Sequence, residues 1–219
     1  QDNTKRILFA DMEPEDRDGL DLVYLVNGST SGIEAAIMTA CKSGSSIIMN
    51  RGCHQSAYNA CILARVKPIF VKEDIDKENN ILMGASSQAY IEAIRTNPQA
   101  SAVFITRPSY YGMSQDIDEV VKLAHENKML VIVDEAHGAH FGLSHTLPKS
   151  AVYSGADLVI QSVHKTLPSL TQTSLMIYRR DRLDTARLSS VLLMVETSSP
   201  SYLMLMSIEI CYDIYEKSG

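Results

Sequence analysis

What the sequence lacks narrows its reading before any motif is considered. No apolar run reaches the ~20 residues that a membrane-crossing helix needs. The opening Gln1-Asp2-Asn3-Thr4-Lys5-Arg6 carries no hydrophobic signal-peptide core, so no membrane partner and a cytoplasmic location are expected. Runs of basic residues are missing too. With 20 Lys+Arg against 26 Asp+Glu the formal charge is -6, which disfavours a nucleic-acid partner, because nothing concentrates positive charge to displace counterions. The 4 cysteines, Cys41, Cys53, Cys61 and Cys211, show no Cys-x-x-Cys spacing and read as buried thiols of a reducing compartment, not as a disulfide or zinc framework. What remains is a 219-residue chain with 45% hydrophobic and 21% charged residues, the composition of an ordinary globular domain.

Two apolar runs end in residues that no buried strand would choose for packing. Asp157-Leu158-Val159-Ile160-Gln161 leads into Ser162-Val163-His164-Lys165, and Met129-Leu130-Val131-Ile132-Val133 leads into Asp134-Glu135-Ala136-His137. Short apolar runs bounded by polar residues predict strands buried on both faces. Ligands of open α/β sheets gather beyond the carboxyl ends of such strands. A lysine there is expected to be desolvated towards its neutral, nucleophilic form. An aspartate there is costly unless a cation meets it. Pyridoxal 5'-phosphate suits both: Lys165 as the Schiff-base amine and Asp134 as partner of the protonated ring nitrogen. Asn27-Gly28-Ser29-Thr30-Ser31-Gly32 turns a strand into a helix, and a helix start rich in Gly, Ser and Thr offers N–H groups to an anion. Ser29, Thr30 and Ser31 are therefore expected to cup the phosphate, although plain capping would use the same residues.

Together with V-N-G-S-T-S-G-I at 26–33, these segments resemble the Orn/Lys/Arg decarboxylase family. So do N-R-G-C-H-Q-S at 50–56, P-S-Y-Y-G at 108–112, V-D-E-A-H-G-A-H at 133–140, S-V-H-K-T-L-P-S-L-T-Q at 162–172 and S-S-P-S-Y-L at 198–203. The resemblance covers the major, cofactor-binding domain, shared with aspartate aminotransferase-like enzymes. It implies decarboxylation of lysine, arginine or ornithine with pyridoxal 5'-phosphate, in polyamine biosynthesis, by a homodimer or higher homo-oligomer. It also implies that His54 stacks on the pyridine ring and that Ser198 and Ser199 approach the phosphate of a neighbouring subunit. Ala136 is small enough for the ring to lie close, Ser162 and His164 are expected to reach the phosphate, and His137 to tune Asp134. No metal site is expected, since His137 and His140 lack the i, i+4 spacing that aligns two ligands on a helix.

Strand-like and helix-like segments alternate along the chain. This predicts a three-layer α/β/α fold around a mostly parallel sheet of about seven strands. Residues 1–22, with Asp11-Met12-Glu13-Pro14-Glu15-Asp16-Arg17-Asp18, read as a solvated polar lead-in, and 23–219 as the large domain. An N-terminal arm and a C-terminal small domain of the apparent relatives are expected to be missing. Lys72 to Asn80 reads as a charged loop. Two other functions fit parts of the text. A catalytically incomplete relative would share the motifs. A DEAH-type NTPase would share Val131-Ile132-Val133-Asp134-Glu135-Ala136-His137, but it also needs a Gly-x-x-x-x-Gly-Lys-Ser/Thr loop, which these residues do not contain.

Overall fold

The alternation of apolar runs and amphipathic segments folds, in a computed structural model that describes residues 1–144 and 146–218, into a central sheet with helices on both faces. The sheet strands are β1 (Leu20–Leu25), β2 (Ser46–Asn50), β3 (Lys67–Val71), β6 (Ala102–Thr106), β7 (Leu130–Asp134), β8 (Leu158–Gln161) and β9 (Ser174–Arg179). Their order is β1-β9-β8-β7-β6-β2-β3 in a 7-stranded sheet. β8, β7, β6, β2 and β3 pair in parallel, while β9 is antiparallel to both β8 and β1. β1 therefore points the same way as the parallel strands, and the carboxyl ends of β1, β2, β6, β7 and β8 emerge along one edge. Val131, Ile132 and Val133 are wholly buried, as are Val103, Phe104 and Ile105, which is why these strands read as continuous apolar runs.

One face of the sheet is covered by α3 (Gly28–Ala40), α4 (Gln55–Ala64) and α8 (Thr185–Val195), which enclose Leu25, Ile37, Ile47, Phe104 and Ile160. The other face carries α5 (Ser87–Thr96), α6 (Asp118–Glu126) and α9 (Tyr202–Ser218) around Ile48, Tyr90, Ile105, Val133 and Tyr212. At the amino end of β8, the wholly buried Asp157 accepts from the Val131 N–H at 2.7 Å, His125 Nε2 at 2.9 Å and Arg182 Nε at 2.5 Å. That set of donors supplies the partners that a buried carboxylate requires.

Two expectations need correction. The first 22 residues are not a solvated lead-in. α1 (Asp2–Leu8) packs on α9, α2 (Pro14–Asp18) follows, and Leu8, Phe9 and Met12 join the core, with Phe9 only 1% exposed. The acidic text conceals three apolar anchors whose burial outweighs the solvation of their neighbours. The charged stretch after β3 is likewise not a plain loop. β4 (Asp74–Asp76) and β5 (Ile81–Gly84) pair as an antiparallel hairpin beside the main sheet.

Candidate active site

The strand ends enclose a cavity of about 470 Å³, within the range of small-molecule sites. Asp134 ends β7, in register between Thr106 of β6 and Ile160 of β8. It is 3% exposed, and among the described residues its side chain takes one hydrogen bond, from the Ala136 N–H to Oδ1 at 3.1 Å. Burial raises its pKa above the ordinary carboxylate range, opposed by that N–H and by the positive charges of Lys165 and His54.

Lys165 stands on α7 (Val163–Thr166), a single helical turn that follows β8 directly. Its ammonium donates to His137 Nε2 at 3.2 Å. The lysine is exposed at the cavity wall, so the expected desolvation does not hold for the protein alone: α7 lifts the side chain off the sheet into an open cleft. His137 is held below the usual imidazole range by burial first, then by the Lys165 and His54 charges, and so accepts as a neutral ring.

The helix side of the cavity comes from the β1–α3 turn. Gly28 has φ 74°, a left-handed conformation that a side chain would strain. Gly32, one turn on, lets α3 lie against the sheet; a Cβ there would sit 2.6 Å from Leu25 Cδ1 and 3.0 Å from Ile160 Cγ2. The N-terminus of α3, with its unsatisfied N–H groups, is thereby drawn to the cavity. Asn27, Gly28, Ser29 and Thr30 line it. The Ser29 hydroxyl is shared with Ser162 at 2.6 Å and Ser174 at 3.1 Å, tying α3 to the ends of β8 and β9.

His54 caps α4. Its Nδ1 accepts from the Ser56 N–H at 3.2 Å. His164 Nδ1 donates to the Thr173 carbonyl at 2.8 Å, leaving Nε2 as the free nitrogen. Of the residues expected from sequence, Lys165, Asp134, His54, Ser29, Thr30, Ala136, His137, Ser162 and His164 meet in this one cavity. Three do not. The Ser31 hydroxyl turns to the Gly28 carbonyl and the Glu196 carboxylate, and Ser198 and Ser199 are exposed away from the cavity. Gly52, Tyr110, Thr171 and Gln172, from segments that carry the family resemblance, line the cavity as well, as does Thr106. Thr106 was recoverable as the last residue of a strand, and Gln172 adopts φ 75°.

Behind Asp134 lies a buried brace. Glu135, with no exposed surface, accepts from Ser150 Oγ at 2.7 Å, Gln161 Nε2 at 2.7 Å, the Ala151 N–H at 2.8 Å and Arg107 Nη1 at 3.3 Å. Burial pushes its pKa up to about 7 against these donors. The brace joins the ends of β6, β7 and β8 and so fixes the strand tips that carry Asp134 and Ser162. No group of three His, Cys, Asp or Glu residues placed to hold a metal ion occurs among the described residues, and none of their helices is long and apolar enough to cross a membrane.

Comparison with known proteins bears on this arrangement. "Uncharacterized protein YaaO" of Bacillus subtilis (strain 168) is 38% identical over 188 residues, 85% of this chain and 39% of that protein. An arginine decarboxylase of the same organism is 36% identical over 187 residues, 85% of this chain and 38% of that protein. The chain thus spans about two fifths of the length of these curated relatives. The crystal structure of the Francisella novicida lysine decarboxylase LdcF has a TM-score of 0.73 and covers 97% of this chain and 30% of that one, at 18% identity, which shows a shared fold. The family model for the Orn/Lys/Arg decarboxylase major domain matches residues 21–219, and on that match the chain belongs to the Orn/Lys/Arg decarboxylase family.

Proposed function

We propose that this chain carries the cofactor site of an enzyme that decarboxylates a basic amino acid, arginine, lysine or ornithine, with pyridoxal 5'-phosphate. The observation that carries the reading is Asp134, a buried carboxylate with a single hydrogen bond, facing a cavity that also receives an amine, Lys165. A protonated pyridine nitrogen is the kind of partner that such a carboxylate lacks. Family membership and the name of the arginine decarboxylase relative support the reaction class.

The residues present fit the cofactor. The α3 N-terminus, with Ser29 and Thr30, would hold the phosphate, joined by Ser162 and by His164 through its free nitrogen. Asp134 would keep the ring nitrogen protonated. His54 would supply a stacking face, and the small Ala136 leaves room for a flat ring. Lys165 would anchor the aldehyde, with the neutral His137 placed to take its proton. When bound, the cofactor supplies a sink for the electron pair left by departing carbon dioxide. Ser31 is occupied by Glu196 and is not needed in this reading.

Ser198 and Ser199 belong, in this proposal, to the cavity of a second copy. Their exposure beside the exposed Leu193, Met194, Tyr202 and Leu203 supports a homodimer contact there. An amine product from a basic amino acid fits polyamine biosynthesis in the cytoplasm.

The test is to incubate the purified chain with pyridoxal 5'-phosphate, reduce with borohydride, and map the adduct by mass spectrometry. The expected site is Lys165, with no adduct in Lys165→Ala. Labelling elsewhere, or none, overturns the assignment. Amine release from arginine, lysine and ornithine then separates turnover from cofactor binding alone. An adduct at Lys165 without amine release would leave a catalytically incomplete protein.

A further inference from the structure

A second cavity, of about 170 Å³, adjoins the first and shares Gly52, Thr106 and Tyr110 with it. The carboxylate of Glu73 lies in its wall, just past β3. Glu73 Oε1 accepts from Asn50 Nδ2 at 3.1 Å and Oε2 from the Gly52 N–H at 2.7 Å. Asn50 is itself fixed, because its Oδ1 accepts from the hydroxyls of Tyr90 at 3.2 Å and Thr106 at 3.3 Å. Gly52 admits the close approach: a Cβ there would stand 2.8 Å from Glu73 Oε1. The carboxylate is thus oriented from the protein side, with a further lone pair on each oxygen. Among the described residues no Lys or Arg is ion-paired with it, and Arg51 lies instead over the Phe70 ring at 5.0 Å. Tyr110 and Tyr111, edge to face at 5.2 Å, complete an aromatic wall, and Leu82 and Gly84 of the β4–β5 hairpin close the outer side.

We propose that Glu73, with Tyr110 and Tyr111, forms the subsite that receives the distal cation of the basic amino acid, guanidinium or ammonium. A guanidinium pairs with carboxylates through planar N–H donors and lies against aromatic faces. A carboxylate already held by two donors need not be immobilised when the cation arrives. The shared wall residues set the two cavities side by side, and in this proposal one substrate engages both. The selectivity element is then carried by the segment between β3 and the hairpin, outside the motifs that hold the cofactor.

The inference rests on the proposed function, and its test keeps the two apart. L-arginine, L-lysine and the uncharged norleucine are titrated into the wild-type, Glu73→Gln and Tyr111→Leu chains by calorimetry or NMR. Labelling of Lys165 by pyridoxal 5'-phosphate and borohydride is run in parallel. Wild type is expected to prefer arginine over norleucine. Glu73→Gln should weaken arginine about tenfold through loss of a charge-assisted contact, leaving norleucine binding and Lys165 labelling unchanged. Tyr111→Leu, at an exposed position that tolerates substitution, should weaken arginine about threefold through loss of a cation–π contact. Unchanged arginine affinity in both variants, equal losses for arginine and norleucine, or no preference in wild type overturns the subsite. Failure of wild-type labelling at Lys165 overturns the cofactor assignment and leaves the charge preference to be judged by the titrations.

Discussion

Replacing Asp134 with asparagine should make the cofactor-free chain more stable and its cofactor site worse. The carboxylate is 3% exposed and takes one backbone hydrogen bond, so ionisation leaves a nearly dry charge without a direct partner. Asn keeps the shape and retains an oxygen for the Ala136 N–H while removing the charge. The desolvation term for such a group is about 1–3 kcal/mol, reduced by the nearby positive charges of Lys165 and His54. For a chain of this length, each kcal/mol moves the melting temperature by roughly 2–4 °C. The pH dependence follows from the direction of the shift. The pKa is higher in the folded than in the unfolded chain, so wild type loses stability as pH rises through the folded value. The variant has no such titration, so its advantage is absent in acid and grows towards neutrality. Pyridoxal 5'-phosphate should reverse the ranking, raising the wild-type melting temperature more than that of the variant. Thermal melts with and without cofactor between about pH 4 and pH 8 decide it. If Asp134→Asn is nowhere more stable than wild type, the carboxylate is already compensated and the reasoning fails.

Other expectations follow from the same contacts. Glu135→Ala strands four donors, one of them the buried Arg107 guanidinium, and should lower stability by about 3–5 kcal/mol in denaturant melts; a loss under about 1 kcal/mol would mean the brace relaxes onto water. Gly32→Ala drives a methyl into Leu25 and Ile160 and should cost about 1–3 kcal/mol, while weakening cofactor affinity through displacement of the α3 N-terminus. Binding unchanged from wild type would separate that helix from phosphate recognition. The cysteines are buried, with Cys41 and Cys53 pushed up to about 12 and Cys61 and Cys211 to about 11 by desolvation. A thiol reagent should therefore label them only as fast as the chain unfolds, and rapid labelling of the native protein would contradict that burial.

The central strands could be read from the sequence because both their faces are buried, which leaves them no polar positions and writes each as an apolar run. Asp134 and Ser162 stood out for the converse reason: polar residues directly after such runs make little sense as packing. Local text could not resolve which hydroxyls face the ligand. Successive helical residues turn by about 100°, so Ser29, Thr30 and Ser31 cannot share one direction, and Ser31 is drawn to Glu196, 165 residues away. The helices of the first 22 residues and the β4–β5 hairpin were hidden for a similar reason. Their charged residues signal solvent, and only the rest of the fold provides the surface against which Leu8, Phe9 and Met12 are buried. The sequence alone carried the layered sheet and set an amine and a carboxylate just beyond two of its strands. Tertiary structure alone decided that Lys165 stands on a helical turn against His137, that Glu135 anchors the strand ends, and that Glu73 lies in the wall of an adjoining cavity. Those contacts join residues far apart in the chain, and proximity of that kind is a property of packing that no local pattern encodes.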